Sequence, residues 1–248
     1  GRSNLCACMT PVAAGMRVET QVDPAKLSTD GTVIGESEQE RTTEIFHPEV
    51  LVLGGGPAGL SAAKAAALAG CEVTLIDERS SLGGQYYKQL SKAHVFAHGR
   101  PSDWQFKAGR ELIAEIEAAG VHIYSGALVW GAFEPMEICV VVDRRSLVFR
   151  PAKLIIATGA YERGVPLPGW TLPGFMTTGA AQTLLRSYRV APGKRVLVAG
   201  NGPLNLQVAA ELCNAGVEVV AVVEAAARPS LSALPAMLSA LYRSPDLI

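Results

Sequence analysis

Val50-Leu51-Val52-Leu53 runs directly into Gly54-Gly55-Gly56-Pro57-Ala58-Gly59, and this stretch restricts the fold more than any other. Four apolar residues suit a buried parallel strand. Gly54 then lets the backbone turn sharply off it, and Gly56 lets the main chain approach a pyrophosphate with no Cβ in the way. Gly59 allows close packing of the alanine-rich run Leu60 to Gly70, which predicts a helix whose N-terminal N–H groups face the phosphates. A second strand, Glu72 to Asp77, follows and ends in an acid. Asp77 lies about 20 residues past the glycines, where a ribose hydroxyl sits in such folds. Glycine turns alone are common, but strand, turn, helix, strand and acid all fall in the required order. The stretch is read as a dinucleotide site.

The charge balance excludes other partners. With 22 Lys and Arg against 23 Asp and Glu, the net charge is −1, and the basic residues are scattered, so no nucleic-acid footprint is present. No apolar run approaches the roughly 18 uncharged residues of a membrane span, and the opening residues do not read as a signal peptide. Five cysteines, an odd number, argue against a disulfide framework and for a cytoplasmic protein. The chain starts at Gly1 and stops at Ile248 in mid-pattern, and a fragment truncated at both ends is expected.

Residues 1–22 contain Cys6 and Cys8, a pair too closely spaced to make a metal site by itself, and residues 23–48 have the polar, acidic composition of a linker. After Asp77, the pair Gly83-Gly84 is either a plain loop or a second close approach to the same ligand. Asp103 offers an N-cap for a helix from Trp104 to Ala119. Residues 121–150 read as short β pieces, the last two joined by a hairpin over Asp143 to Ser146. Lys153 to Ala157 is another buried strand; it ends in Thr158-Gly159, and an open α/β sheet binds ligands at such strand ends.

This order of motifs occurs in flavoproteins with two dinucleotide-binding domains. The phrases Gly84-Gln85-Tyr86-Tyr87, Ala157-Thr158-Gly159-Ala160-Tyr161-Glu162-Arg163 and Pro168-Gly169-Trp170-Thr171-Leu172-Pro173-Gly174 narrow it. Together they resemble the flavin-binding subunit of heteromeric amino-acid and amine dehydrogenases. That group includes the A-subunit of opine oxidase, hydrogen cyanide synthase, proline and hydroxyproline dehydrogenases and the large sarcosine oxidase subunit. The resemblance implies an α/β fold of Rossmann-like parallel sheets with a β-meander. It also implies FAD held by Gly54, Gly56, Pro57, Ala58, Gly59, Asp77, Glu78, Gly84, Gln85, Ala157, Thr158 and Gly159. Several relatives carry a small 2Fe-2S segment, by which Cys8 would be a fourth cluster ligand in a longer parent chain. The other three ligands precede Gly1 in that pattern, so this chain is expected to bind no cluster.

The opening pattern recurs at Lys194 to Asn205, followed by a helix over Leu206 to Ala215 and a strand, Val217 to Val223, ending at Glu224. Gly200, Gly202 and Glu224 would form a second nucleotide site for NAD, Glu224 favouring an unphosphorylated ribose; by the resemblance, NAD or another adenine nucleotide such as ATP is also an alternative occupant of the first site. Here Asn205 replaces the third glycine, and a side chain at that point pushes helix from sheet or alters the angle of approach. Ligand binding and a vestigial repeat are both open. The expected organisation is a cluster-segment remnant (1–22), a linker (23–48), an FAD domain (49–163) and half of an NAD-like domain (164–248), with exposed sheet edges and apolar surface. Residues 230–242 are expected to form a packing helix.

Cys71, Cys139 and Cys213 lie in apolar patterns and are expected to be buried thiols; none follows Gly83-Gly84 as a redox disulfide would. The histidines at 47, 94, 98 and 122 have no metal spacing, and no residue is assigned as acid, base or nucleophile. The expected function is an FAD-dependent electron relay acting with a substrate-oxidising flavoprotein subunit on an amino or imino acid. An NAD(P)H-driven reductase and a non-catalytic nucleotide scaffold are the alternatives.

Overall fold

A computed structural model of the chain describes residues 43–91 and 103–226, with isolated positions at 15, 235, 238 and 239. The described residues from Thr43 to Ala226 belong to one compact unit. The readings placed on Cys6, Cys8, His94 and His98, and most of the run 230–242, lie outside the described residues.

The elements in order are β1 (Glu44–Phe46), β2 (Val50–Leu53), α1 (Pro57–Leu68), β3 (Val73–Asp77), α2 (Trp104–Ala118), β4 (His122–Ser125) and β5 (Leu128–Phe133). They continue with β6 (Glu137–Val142), β7 (Arg145–Phe149), β8 (Lys153–Ile156), α3 (Thr178–Tyr188), β9 (Arg195–Gly200), α4 (Pro203–Asn214) and β10 (Glu218–Glu224). Strands β4-β3-β2-β8 form a parallel sheet in that order. All four residues of β2 are buried because both faces of this sheet are covered. Successive side chains point to opposite faces, so Val50 and Val52 pack against Leu60 and Ala63 of α1 and Ile116 of α2. Leu51 and Leu53 pack the other way, against Ile138, Val140, Leu147 and Phe149. Each such fully buried aliphatic side chain contributes about 1.5–3 kcal/mol.

That second layer is the sheet β1-β7-β6-β5, in which β5, β6 and β7 form the expected antiparallel meander. The β6–β7 turn places Asp143 and Arg144 at φ +48° and +63°, the left-handed pair that a tight two-residue hairpin requires. Two details differ from what the sequence pattern predicts. β4, which the pattern groups with the meander, joins the parallel sheet beside β3, because α2 is a crossover that returns the chain to it. β1 falls within the stretch of linker composition. It pairs parallel with β7, and Phe46 stacks on Phe149 at 5.2 Å, a partner 103 positions later in sequence that no local pattern announces.

Asp103 caps α2 as expected, its side chain accepting from the Phe106 amide at 3.0 Å. The repeat forms its own small unit, with β9 and β10 parallel and Val198, Val208, Ala209, Leu212 and Val217 as its core. On this two-stranded sheet Leu197, Val220, Val222 and Val223 are exposed. The cysteine expectation is corrected in part: Cys139 is buried and Cys71 half-buried, whereas Cys213 is exposed on the solvent side of α4. No described helix is long and apolar enough to cross a membrane.

Candidate functional site

The glycine turn sits at the carboxyl end of the parallel sheet. Gly54 has φ +105°, and a Cβ there would stand 2.3 Å from the Ala157 carbonyl oxygen. A Cβ on Gly59 would stand 1.8 Å from the Gly54 carbonyl oxygen, so α1 is seated directly on the turn. Gly56 is the N-cap of α1, Pro57 opens the helix, and no side chain caps it. The free N–H groups of the first turn and the positive end of the helix dipole are therefore left for an anion.

The loop that follows β3 closes on this turn. The Gly83 amide donates to the Gly55 carbonyl at 2.8 Å. Gly84, at φ +61°, comes so near that a Cβ on it would lie 2.7 Å from Gly56 Cα. Gln85 Nε2 donates to the Ala160 carbonyl at 2.7 Å, tying the loop to the end of β8. Three sequence features more than 100 residues apart end to end thus meet: the first glycine turn, the Gly83-Gly84 pair and the Ala157-Thr158-Gly159 strand end.

The two acids divide their work. Asp77 is buried, and its carboxylate accepts from the Gly55 amide and, at 2.7 Å, from the Arg79 amide. The acid expected beside a ribose hydroxyl is thus hydrogen-bonded to the backbone of the turn itself. Glu78, next in the chain, is exposed and accepts from the Tyr161 hydroxyl. This bond, first, and burial hold the Tyr161 phenol above its ordinary pKa. In the sequence Tyr161 stands out only as part of a motif; its link to Glu78 spans 83 positions and has no local signature.

Lys88 is a buried cation that sequence reasoning missed. Its ammonium donates to the Gln85 carbonyl at 2.8 Å. Burial, and next Arg79 and Arg186, lower its pKa from 10.5 to about 8. Between those two values the unfolded chain retains a proton that the folded chain has shed, so stability rises with pH across that window. Below about pH 8 the fold carries the full cost of the buried charge. Lys88→Met should therefore gain on the order of 2 kcal/mol over wild type at pH 7, after solvent screening, and lose that advantage by pH 10.5. Denaturant titrations of both proteins at the two pH values check this, and a pH-independent difference would contradict it.

The second glycine turn is built differently. Asn205 is buried, its Oδ1 accepts from the Thr178 hydroxyl at 2.8 Å, and its Nδ2 lies 2.9 Å from where a Gly200 Cβ would be. The side chain thus fills the niche beneath the turn instead of reaching out to its mouth. The seating of helix on turn seen at Gly59 has no counterpart here. Glu224 repeats the pattern of Asp77, accepting from the Gly202 amide at 3.4 Å and the Ala226 amide at 3.0 Å. Among the described residues no group of His, Cys, Asp and Glu could hold a metal ion.

A family profile described as pyridine nucleotide-disulphide oxidoreductase matches residues 48–244. The chain belongs to this family. The opine oxidase A-subunit of Agrobacterium tumefaciens (strain Ach5) is 33% identical over 211 residues, covering 81% of this chain and 41% of that protein. Hydrogen cyanide synthase subunit HcnB of Pseudomonas protegens is 36% identical over 185 residues, covering 71% and 38%. The crystal structure of L-proline dehydrogenase from P. horikoshii superposes with a TM-score of 0.61 at 26% identity, over 73% of this chain and 36% of that one. The chain thus spans about two fifths of the length of the curated relatives named here. No cysteine occurs between Cys71 and Cys139, so the cysteine pair of a redox disulfide does not follow Gly83-Gly84 in this member of the family.

Proposed function

We propose that the first glycine turn binds FAD and that the chain is the flavin-carrying part of a heteromeric dehydrogenase or oxidase of amino or imino acids. The observation that carries this is the meeting of Gly56, Gly84 and the uncapped start of α1 at the carboxyl end of the parallel sheet, where a Cβ on Gly84 would stand 2.7 Å from Gly56 Cα. In this reading the α1 N-terminus and the Gly56 and Gly84 backbone receive the pyrophosphate, with Pro57, Ala58 and Gly59 forming the first helical turn beneath it. Asp77 braces the turn, and the exposed Glu78 carboxylate accepts from a ribose hydroxyl in place of Tyr161. Gln85 and Ala157-Thr158-Gly159 close the side toward the rest of the cofactor. Bound FAD supplies the two-electron chemistry. The protein positions it, and no described side chain is assigned a proton-transfer role. Relatives named as subunits of opine oxidase and hydrogen cyanide synthase support a heteromeric assembly; in this reading the partner subunit handles substrate and this chain is an electron relay in the cytoplasm.

Mass spectrometry of the nucleotide released from protein expressed with its partner, together with the visible spectrum, tests this. FAD in near-equal ratio to the chain is the expected result. Colourless protein that releases no nucleotide overturns it. Release of NAD or ATP alone favours the scaffold alternative, and rapid bleaching of bound flavin by NADH favours the reductase, with Gly200, Gly202 and Glu224 as its second site.

A further inference from the structure

We infer that Arg186 is a positioning residue through which the second glycine-turn fold holds loop 83–91 of the first; naming 83–91 a cofactor loop rests on the FAD reading above. Among the described residues, the buried apolar clusters of the two folds share no member. Both clusters around β2 consist of residues up to Ile155, and the third begins at Leu185. At α3 the two folds are joined by polar contacts. Arg186 lies on α3 with its side chain only 14% exposed. One of its nitrogens donates to Asp103 Oδ1 at 2.7 Å. The other reaches Gln105 Oε1 at 2.8 Å and Glu211 Oε1 on α4 at 3.2 Å. The planar guanidinium suits such divergent partners, whereas an ammonium is a compact point charge.

The anchor is itself held firmly. Glu211 also accepts from Gln182 Nε2 at 3.1 Å and Gln207 Nε2 at 3.0 Å, so its position is set from within the second fold. Beside Arg186, the Ser91 amide donates to the Ser187 carbonyl at 2.9 Å, which fixes the far end of loop 83–91 to α3. The near end carries Gly84 and Gln85 against the first glycine turn. The loop is therefore footed in both folds: the Ser81 hydroxyl donates to the Leu90 carbonyl at 3.4 Å and Gln89 Nε2 to the Phe106 carbonyl at 3.2 Å on the first side, and Ser91 holds the second. A polar footing without shared apolar core is the weaker kind. Loss of Arg186 should free the Ser91 end while leaving the parallel sheet intact.

Amide hydrogen exchange on the full chain, with and without FAD, tests the inference. Arg186→Met should raise exchange in 83–91 about ten-fold or more while β2 and β3 stay as in wild type. Arg186→Lys should restore part of the protection, since an ammonium keeps the charge but not the fork. Asp103→Asn, which preserves a good N-cap on α2 but removes the charge, should reproduce part of the Met effect. In flavin-loaded protein, Arg186→Met should release FAD several-fold faster. Unchanged exchange in 83–91, a rise confined to α3 and α4, or an equal rise throughout β2 and β3 would each overturn the inference. If wild type holds no flavin, the FAD reading fails, and the exchange result still decides the role of Arg186.

Discussion

Gly59→Ala should abolish nucleotide binding and cost the first fold a substantial part of its stability. The added Cβ would stand 1.8 Å from the Gly54 carbonyl oxygen, and both partners are backbone, so no side chain can swing aside. Relief requires α1 to lift off the sheet, opening the contact of Leu60 and Ala63 with Val50, Val52 and Leu75. Overpacking of a core ordinarily costs about 1–3 kcal/mol, and moving a whole helix lies at or above that range. Set against a typical total of about 5–15 kcal/mol, such a loss leaves little margin. Thermal melts followed by circular dichroism, with nucleotide content measured on the same sample, check this. A variant that melts and binds like wild type would show that the turn and helix are not seated as described.

Gly84→Ala should separate binding from folding. Its φ of +61° is left-handed, and its Cβ would come within 2.7 Å of Gly56 Cα. An alanine in this conformation costs about 1–2 kcal/mol. The larger consequence is geometric, because the loop must retreat from the turn where both backbones are read as meeting the pyrophosphate. We expect at least a ten-fold loss of FAD affinity, about 1.4 kcal/mol or more, with the cooperative melt of apoprotein lowered only modestly. Fluorescence titration of apoprotein with FAD measures the first quantity. Equal affinity in both proteins would remove Gly84 from the site and leave the first glycine turn alone as the pyrophosphate cradle.

Most of the first fold was legible because its signals are local. The apolar run of β2 and the small residues of the turn occupy a few consecutive positions. So does the Asp103 cap, and each follows from backbone geometry at that point. The second turn was legible as a repeat, but the effect of Asn205 was not. Its side chain could go outward into the mouth or inward beneath the turn, and Thr178, 27 positions away, decides for the inward place. β1 was hidden for a similar reason, since three residues of polar surroundings become a strand only when β7 and the ring of Phe149 are already present.

The sequence by itself determined that a strand, a glycine turn and a helix follow one another with small residues at the junction, and that a weaker copy comes after them. These depend on which residues lack a Cβ and on spacing along the chain. Only the tertiary structure decided which groups meet. It brought Gly84 against Gly56, bound Asp77 to the turn's own amides, left Glu78 exposed with Tyr161 as its partner, and buried Lys88 within the loop. The reason is that a side chain's partner depends on which strands and loops pack together, and that follows from burying both faces of the parallel sheet at once.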